Sequence, residues 1–142
     1  MREQNYKNHR RIVFTYHVLT GLSLLALLIG SIRNVIYTNR ENLYSASLLV
    51  LVALILISLY IHSRRFATGV QDRAIRAEEA LRYFILTGKP LDSRLTMNQI
   101  IALRFASDEE FPALAQKAVE KILSNDAIKK EIKHWRPDWN QV

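Results

Sequence analysis

The chain has 142 residues, of which 49% are hydrophobic, and a formal net charge of +7. It contains no cysteine, which excludes disulfide bonds, thiolate catalysis and cysteine-ligated zinc or iron–sulfur centres. Residues 1–61 carry six basic and two acidic side chains (+4) and residues 62–142 carry 14 and 11 (+3), so much of the positive charge flanks apolar segments and no nucleic-acid partner is expected.

A basic tail, residues 1–11, precedes an apolar run of 21 residues, 12–32, that contains no Asp, Glu, Lys or Arg. A secretory signal peptide also begins with basic residues and an apolar stretch. The run is longer than a signal core of about 7–15 residues, no A-x-A-like cleavage site follows it, and a second apolar run comes soon after. We therefore interpret residues 12–32 as a retained membrane span.

The second apolar run, residues 43–61, continues through residues 62–65 into another helical pattern with no breaker at the junction. One helix over residues 43–86 would be about 65 Å long at about 1.5 Å per residue, which is twice the hydrocarbon thickness of a bilayer. Its second half is therefore expected to lie in water. The segment between the two runs, residues 33–42, can close an antiparallel helical hairpin over residues 12–61.

Basic residues flank one side of this predicted transmembrane hairpin. Arg10 and Arg11 precede the first span and Arg64 and Arg65 follow the second, whereas the loop carries only two basic residues. The positive-inside rule then places both termini in the cytoplasm, with the basic flanks near anionic headgroups.

Small residues recur in both spans, and close approach of helices in lipid depends on such residues. They indicate either packing within the hairpin or a specific dimer seam. They are Ser23, Ala26 and Gly30 in the first span and Ala46, Ala53 and Ser58 in the second.

Residues 62–142 predict a small cytosolic helical domain. Apolar residues recur after the double arginine at helical spacing and predict a core-facing stripe, and Gly88, Lys89 and Pro90 predict the end of that helix. The stripe comprises Phe66, Val70, Ile75 (or Ala74), Ala77, Leu81, Phe84 and Ile85.

Three shorter helices follow. Thr96 and Gln99 have the spacing of a capping box, which marks the start of the first. The second begins either after Ser107 or at Pro112, since proline is favoured at a first helical position. The third covers residues 126–135 and ends before Pro137. The predicted fold is therefore all-α.

His17 is the only titratable group well inside a span, and His62 ends the other span on the same side. A bis-histidine haem or metal site is one interpretation, since an ionisable residue inside a membrane is a functional candidate. The other is an interfacial histidine hydrogen-bonded to Tyr16 or a headgroup. A lone hairpin has too little surface to bury a haem, which favours the second interpretation.

A mixed-charge segment, residues 72–79, follows the second span. Asp72 and Arg76 stand four residues apart, which is the spacing of a surface ion pair on a helix. A catalytic site would need paired carboxylates in a pocket with a nucleophile or a metal. No catalytic residue, metal site or cofactor is therefore assigned.

The last predicted helix is the best candidate for binding, because basic side chains beside aromatic ones suit an anionic membrane surface or an acidic partner protein. A solvated basic face with inward-packed tryptophans is the alternative. The candidate residues are Lys129, Lys130, Lys133, Trp135, Arg136 and Trp139.

Three strings carry a family resemblance: QDRAIRAEE at residues 71–79, IALRFASDEE at residues 101–110 and IKHWRPD at residues 132–138. With the preceding hairpin they resemble a family of small bacterial membrane proteins catalogued only as a domain of unknown function. The resemblance implies a bacterial source and a place in the cytoplasmic membrane. It implies no activity and no functional residues.

The sequence thus predicts a non-enzymatic integral membrane interaction protein, either an accessory subunit of a membrane complex or a membrane anchor for a cytosolic partner. A haem- or metal-carrying subunit that uses His17 and His62 is one alternative. A component of an oligomeric transporter or channel is another, although the spans have no charged lining. Expected partners are the lipid bilayer and either a protein or further copies of the chain.

Overall fold

A computed structural model of the chain describes residues 5, 6, 8 and 13–138. Every regular element within them is helical, as the sequence predicts. The chain divides into two compact units, one of residues 13–66 and the other of residues 67–138 with the described tail residues. The elements are a π-helical segment Thr15–Thr20, α1 (Gly21–Tyr37), a 3-10 turn Arg40–Asn42, α2 (Leu43–Thr87), α3 (Met97–Leu103), α4 (Phe111–Glu120) and α5 (Asn125–Glu131).

Helix α2 runs for 45 residues without interruption. Gly88 ends it with φ at +69°, the left-handed conformation that glycine adopts at least cost, and donates its backbone N–H to the Phe84 carbonyl oxygen at 2.8 Å. The predicted stop signal is confirmed.

Small residues of α2 lie in the seam between the two helices of the first unit. Ala46 and Ala53 are 1% and 0% exposed, and Ser31 of α1 is also buried. Ala26 and Gly30 instead lie exposed, and no heavy atom lies within 4 Å of a Cβ placed on Gly30. Of the six small residues predicted to pack, only Ala46 and Ala53 of α2 are buried, whereas Ser23, Ala26, Gly30 and Ser58 are exposed.

Two tyrosines join the helices of the same unit. The rings of Tyr16 and Tyr60 stack with centroids 4.5 Å apart. Each hydroxyl donates to the other residue's backbone carbonyl oxygen, at 2.6 Å from Tyr16 and 3.1 Å from Tyr60. This reciprocal pair ties α2 to the π-helical segment before α1.

The second unit has one apolar core. Its largest fully buried side chains are Phe105, Phe111, Leu103 and Ile128. The predicted capping box at the start of α3 is present, and Gln99 also donates to the carbonyl oxygens of Ala118 and Leu123 at 3.3 and 2.9 Å. One polar side chain thereby caps α3 and fixes the end of α4.

Helix α4 begins at Phe111, with Pro112 in its first turn. A start after Ser107 is thus wrong and a start at Pro112 is wrong by one residue. The missing N–H of proline costs little there, because first-turn N–H groups have no partner within the helix.

The prediction that the apolar stripe of α2 faces the core is wrong. Among its members only Ile75 is buried, whereas Val70 is 68% exposed and Ile85 is 72% exposed. The face of α2 that packs on the second unit instead carries Ile75, Glu79 and the partly buried Tyr83. A polar residue replaces an apolar one on the buried face because ion pairs compensate its charge, as described below.

The predicted helix over residues 126–135 is also shorter in the structure. Helix α5 ends at Glu131, and Ile132 takes an extended conformation. The following segment pairs with the α3–α4 connection: Ser107 donates to the His134 carbonyl oxygen at 3.1 Å and Arg136 donates to that of Phe105 at 2.7 Å. These long-range backbone bonds replace the helical ones that the local pattern predicts.

Candidate functional site

A buried ion pair lies on the packed face of α2. Glu79 is 4% exposed, and its carboxylate lies 2.9 Å from the Arg82 guanidinium, which also contacts the Asp108 carboxylate at 2.7 Å. Arg82 donates as well to the Ala106 carbonyl oxygen at 2.7 Å, and its guanidinium carbon lies 4.6 Å from the centre of the Phe111 ring. One arginine therefore connects α2 to the connection between α3 and α4.

Burial raises the pKa of Glu79 above its ordinary value, because the charged carboxylate loses contact with water. Arg82 and, at 3.9 Å, Arg136 act in the opposite direction and stabilise the charged form. The burial effect is the larger. The two guanidinium groups thus offset part of the cost of burying this carboxylate.

A cleft of about 430 Å³ opens beside this ion pair. One wall is charged and the other is apolar, and its apolar residues Leu81, Ile85 and Leu86 are exposed large hydrophobic side chains. Such a surface suits a peptide segment that has apolar and charged side chains. The cleft is lined by Glu78, Glu79, Leu81, Arg82, Ile85, Leu86, Asp108 and Arg136.

Most of the predicted basic and aromatic binding residues face other parts of the second unit. The Trp135 ring lies 5.2 Å from that of Phe105, and the Lys129 ammonium lies 5.7 Å from the centre of the same ring. Lys130 pairs with Asp126 at 2.7 Å. These three side chains therefore do not form one basic face.

Three members of that set are exposed, among them Lys130, whose side chain is 60% exposed. Lys133 is exposed, and the side chain of Arg136 is 53% exposed although it contacts Glu79. Among the described members of the set, Arg136 is the one that lines the cleft. Trp139 lies outside the described residues.

His17 and His62 make separate polar contacts, each within its own helical segment. The Nδ1 atom of His17 lies 3.0 Å from the Val13 carbonyl oxygen, and that of His62 lies 2.7 Å from the Ser58 carbonyl oxygen. Each ring is thus bound to its own helix one turn earlier, and the residues that join the two helices here are Tyr16 and Tyr60.

The basic flanks are partly described. Arg64 and Arg65 follow the apolar part of α2, and Arg65 is exposed. Arg10 and Arg11 lie outside the described residues. Among the residues that the structure does describe, no three His, Asp or Glu side chains converge as metal ligands would.

Sequence reasoning missed the roles of Glu79, Arg82 and Asp108. The predicted stripe of α2 contains neither Glu79 nor Arg82, and the sequence predicts no site at Asp108. Glu79 and Arg82 lie three residues apart on α2. This spacing was a signal, because an i, i+3 pair of opposite charge can satisfy a carboxylate on a buried face. The contact to Asp108 spans 26 residues, and no local pattern reports it.

No curated protein and no solved structure matches the chain. One family model does match, and it covers residues 1–142. It carries the description Family of unknown function (DUF6526). The chain belongs to this family.

Proposed function

We propose that the protein is an integral membrane protein with both termini in the cytoplasm, and that its second unit binds a segment of a partner protein. It would act as an accessory subunit of a membrane complex or as a membrane anchor for a cytosolic partner. The proposal has two parts, the anchorage and the binding surface, and each has its own support.

The anchorage is supported by two helical stretches, Thr15–Tyr37 and Arg40–Thr87, that are long and apolar enough to cross a membrane. Only 6% and 11% of their most apolar windows are buried within the chain. The core helix of a water-soluble protein would be covered by other elements, since large exposed apolar patches favour association. Lipid is the solvent that suits these surfaces, and the basic flanks favour the cytoplasmic membrane with anionic headgroups on the inner side.

The observation that carries the binding function is the cleft beside Glu79. Arg82 on its charged wall is fixed by ion pairs with Glu79 and Asp108. Exposed leucine and isoleucine side chains form the other wall. A half-apolar cleft rimmed by charge is a surface that binds a protein segment with specificity from its charges and affinity from its apolar part.

The test is affinity purification from native membranes in mild detergent, with the wild type compared with Arg136→Glu and Lys121→Glu. Arg136 lines the cleft, whereas Lys121 is exposed outside its lining. Both variants change the net charge equally. We expect a partner in fixed ratio with the wild type and with Lys121→Glu, and its loss from Arg136→Glu.

Equal recovery of every protein by both variants would contradict the role of the cleft. The absorbance spectrum of the same samples tests the haem alternative, since a chromophore that disappears in His17→Ala would move the functional site to the first unit.

A further inference from the structure

The face of α2 that turns away from the second unit's core is apolar and uncovered. Val70, Leu81 and Phe84 are 68%, 60% and 54% exposed. At about 100° per residue, Leu81 lies about 160° around the helix from the buried Glu79. Two opposite faces of one helix are therefore suited to burial, and the described part of the chain covers one of them.

The uncovered face has the spacing of a coiled-coil seam. Its residues follow one another by steps of three, four, three, four and three, which is the alternation of the a and d positions of a heptad. This alternation gives α2 a continuous apolar stripe along its exposed side. The residues, which we call the α2 seam, are Ala67, Val70, Ala74, Ala77, Leu81 and Phe84.

The same register explains why a partner helix would not collide with the second unit. Ile75 and Arg82 fall at b positions, Tyr83 at c and Glu79 at f, and these positions point away from the partner in a coiled coil. They are also the positions that pack on the rest of the second unit. The α2 seam is therefore accessible from the side opposite to that core.

Charge complementarity identifies the occupant of the seam. In a parallel two-stranded coiled coil, a residue at g faces the residue five positions later, at e, of the partner helix. Arg73 is at g and Glu78 is at e, and both are exposed. Two copies of this chain, side by side, would thus form two Arg73–Glu78 pairs across the interface. An antiparallel pair would bring g to g and e to e, with no attraction between these charges.

We propose that the α2 seam binds a second copy of the chain in a parallel, in-register coiled coil. The inference goes beyond the proposed cleft function, because it concerns another partner and a stripe that shares only Leu81 and the flanking Glu78 with the cleft. The seam covers about two and a half heptads, which is short for helices free in solution. Two helices held in one membrane with the same orientation meet at a high effective concentration, which favours a short seam.

The test is disulfide cross-linking in native membranes, which the absence of cysteine makes clean. Val70→Cys and Phe84→Cys place a thiol at d positions near opposite ends of the seam. Arg76→Cys, also exposed, places one at a c position and serves as the control. We expect each d-position variant to give a dimer of twice the chain mass under mild oxidant, and Arg76→Cys to remain monomeric.

A second experiment uses the charges. Arg73→Glu places like charges opposite each other, and we expect it to weaken association of labelled copies in liposomes, measured by energy transfer, by about fivefold or more. Glu78→Arg should do the same, and the double exchange should restore association. Circular dichroism of each variant verifies that it is folded.

The proposal would be overturned if either d-position variant is folded but does not cross-link. It would also be overturned if Arg76→Cys cross-links equally well. A cross-linked product that contains another protein would assign the seam to that protein instead. Arg136 belongs neither to the seam nor to its flanking charges, so Arg136→Glu should leave the dimer intact. Arg73 does not line the cleft, so Arg73→Glu should weaken the dimer and leave the cleft partner bound.

Discussion

Arg82 is the side chain on which the packing of α2 depends most. It neutralises the buried carboxylate of Glu79, contacts Asp108, donates to the Ala106 carbonyl oxygen and covers the Phe111 ring. Removal of one partner of a buried ion pair leaves the other charge without compensation, which costs more than the pair itself contributes.

Arg82→Ala should therefore lower the free energy of unfolding of the second unit by about 3–5 kcal/mol. Arg94→Ala is the control, because Arg94 also pairs with an aspartate at 2.7 Å but its side chain is 74% exposed, and we expect a loss of about 0–1 kcal/mol. Urea unfolding in mild detergent, followed by tryptophan fluorescence, measures both. Equal losses would show that burial of the Arg82 ion pairs does not increase their contribution to the free energy of unfolding.

Glu79 gives the molecule a pH dependence whose sign follows from its raised pKa. The folded state holds a proton on this carboxyl at pH values where the unfolded state has released it, so the contribution of Glu79 to stability is present below its ordinary pKa and decreases as pH rises through the raised value.

We expect Glu79→Gln, which resembles the protonated side chain, to gain stability relative to the wild type as pH rises above 4.5. Unfolding curves of the two proteins at several pH values measure this difference. A difference that moves the other way would mean that Arg82 and Arg136 outweigh burial and that the Glu79 pKa is lowered in the folded protein.

Two glycines, one inside α2 and one directly after its last residue, have opposite backbone requirements. Gly88 has φ at +69°, whereas Gly69 lies within the helix, and both have open space around a Cβ. Gly88→Ala should destabilise by about 1 kcal/mol because alanine is strained in the left-handed region. Gly69→Ala should stabilise by about 0.5–1 kcal/mol because alanine favours the helix. Thermal unfolding of the two variants tests this contrast, and a shift of the same sign in both would contradict it.

The tyrosine pair of the first unit makes a separate prediction. Tyr16→Phe and Tyr60→Phe each remove a hydroxyl that bonds the other helix segment, and each should cost about 0.5–1 kcal/mol, in the range of polar contacts between membrane helices. Tyr44→Phe, at a side chain that is 75% exposed, should change stability little. Unfolding in mixed micelles measures these values, and losses no larger than that of Tyr44→Phe would show that the pair is not a structural link.

The elements differ in how far the sequence predicts them. The length of α2, its stop at Gly88 and the capping box at Thr96 depend on local chemistry, and the structure agrees with them. The inward face of α2 and the end of α5 depend on residues more than 20 positions away, such as Asp108 for Arg82 and Phe105 for Arg136. Apolar spacing therefore identified the α2 helix correctly and its buried side incorrectly, because the seam has the more regular pattern.

For the whole molecule, the orientation in the membrane is the first property to test. Asn39→Cys lies in the exposed loop between the spans and Lys121→Cys lies in the second unit. If both termini are cytoplasmic, a membrane-impermeant maleimide should label Asn39→Cys in intact cells, and should label Lys121→Cys only after the membrane is permeabilised. The reverse pattern would overturn the proposed topology, and labelling of both in intact cells would overturn the membrane anchorage.

The extended segment at residues 132–138 also affects how the chain folds during synthesis. Its pairing with the α3–α4 connection covers Phe105, so the core of the second unit stays incomplete until these residues have been made. At about 5–20 residues per second, the ribosome needs roughly 1–5 s to synthesise residues 112–138 after Phe111. During that interval Phe105 and Phe111 lack this cover, while the two apolar helical stretches, Thr15–Tyr37 and Arg40–Thr87, have already been synthesised. A nascent chain stalled before Ile132 is therefore expected to be far more sensitive to protease than one released after Asp138.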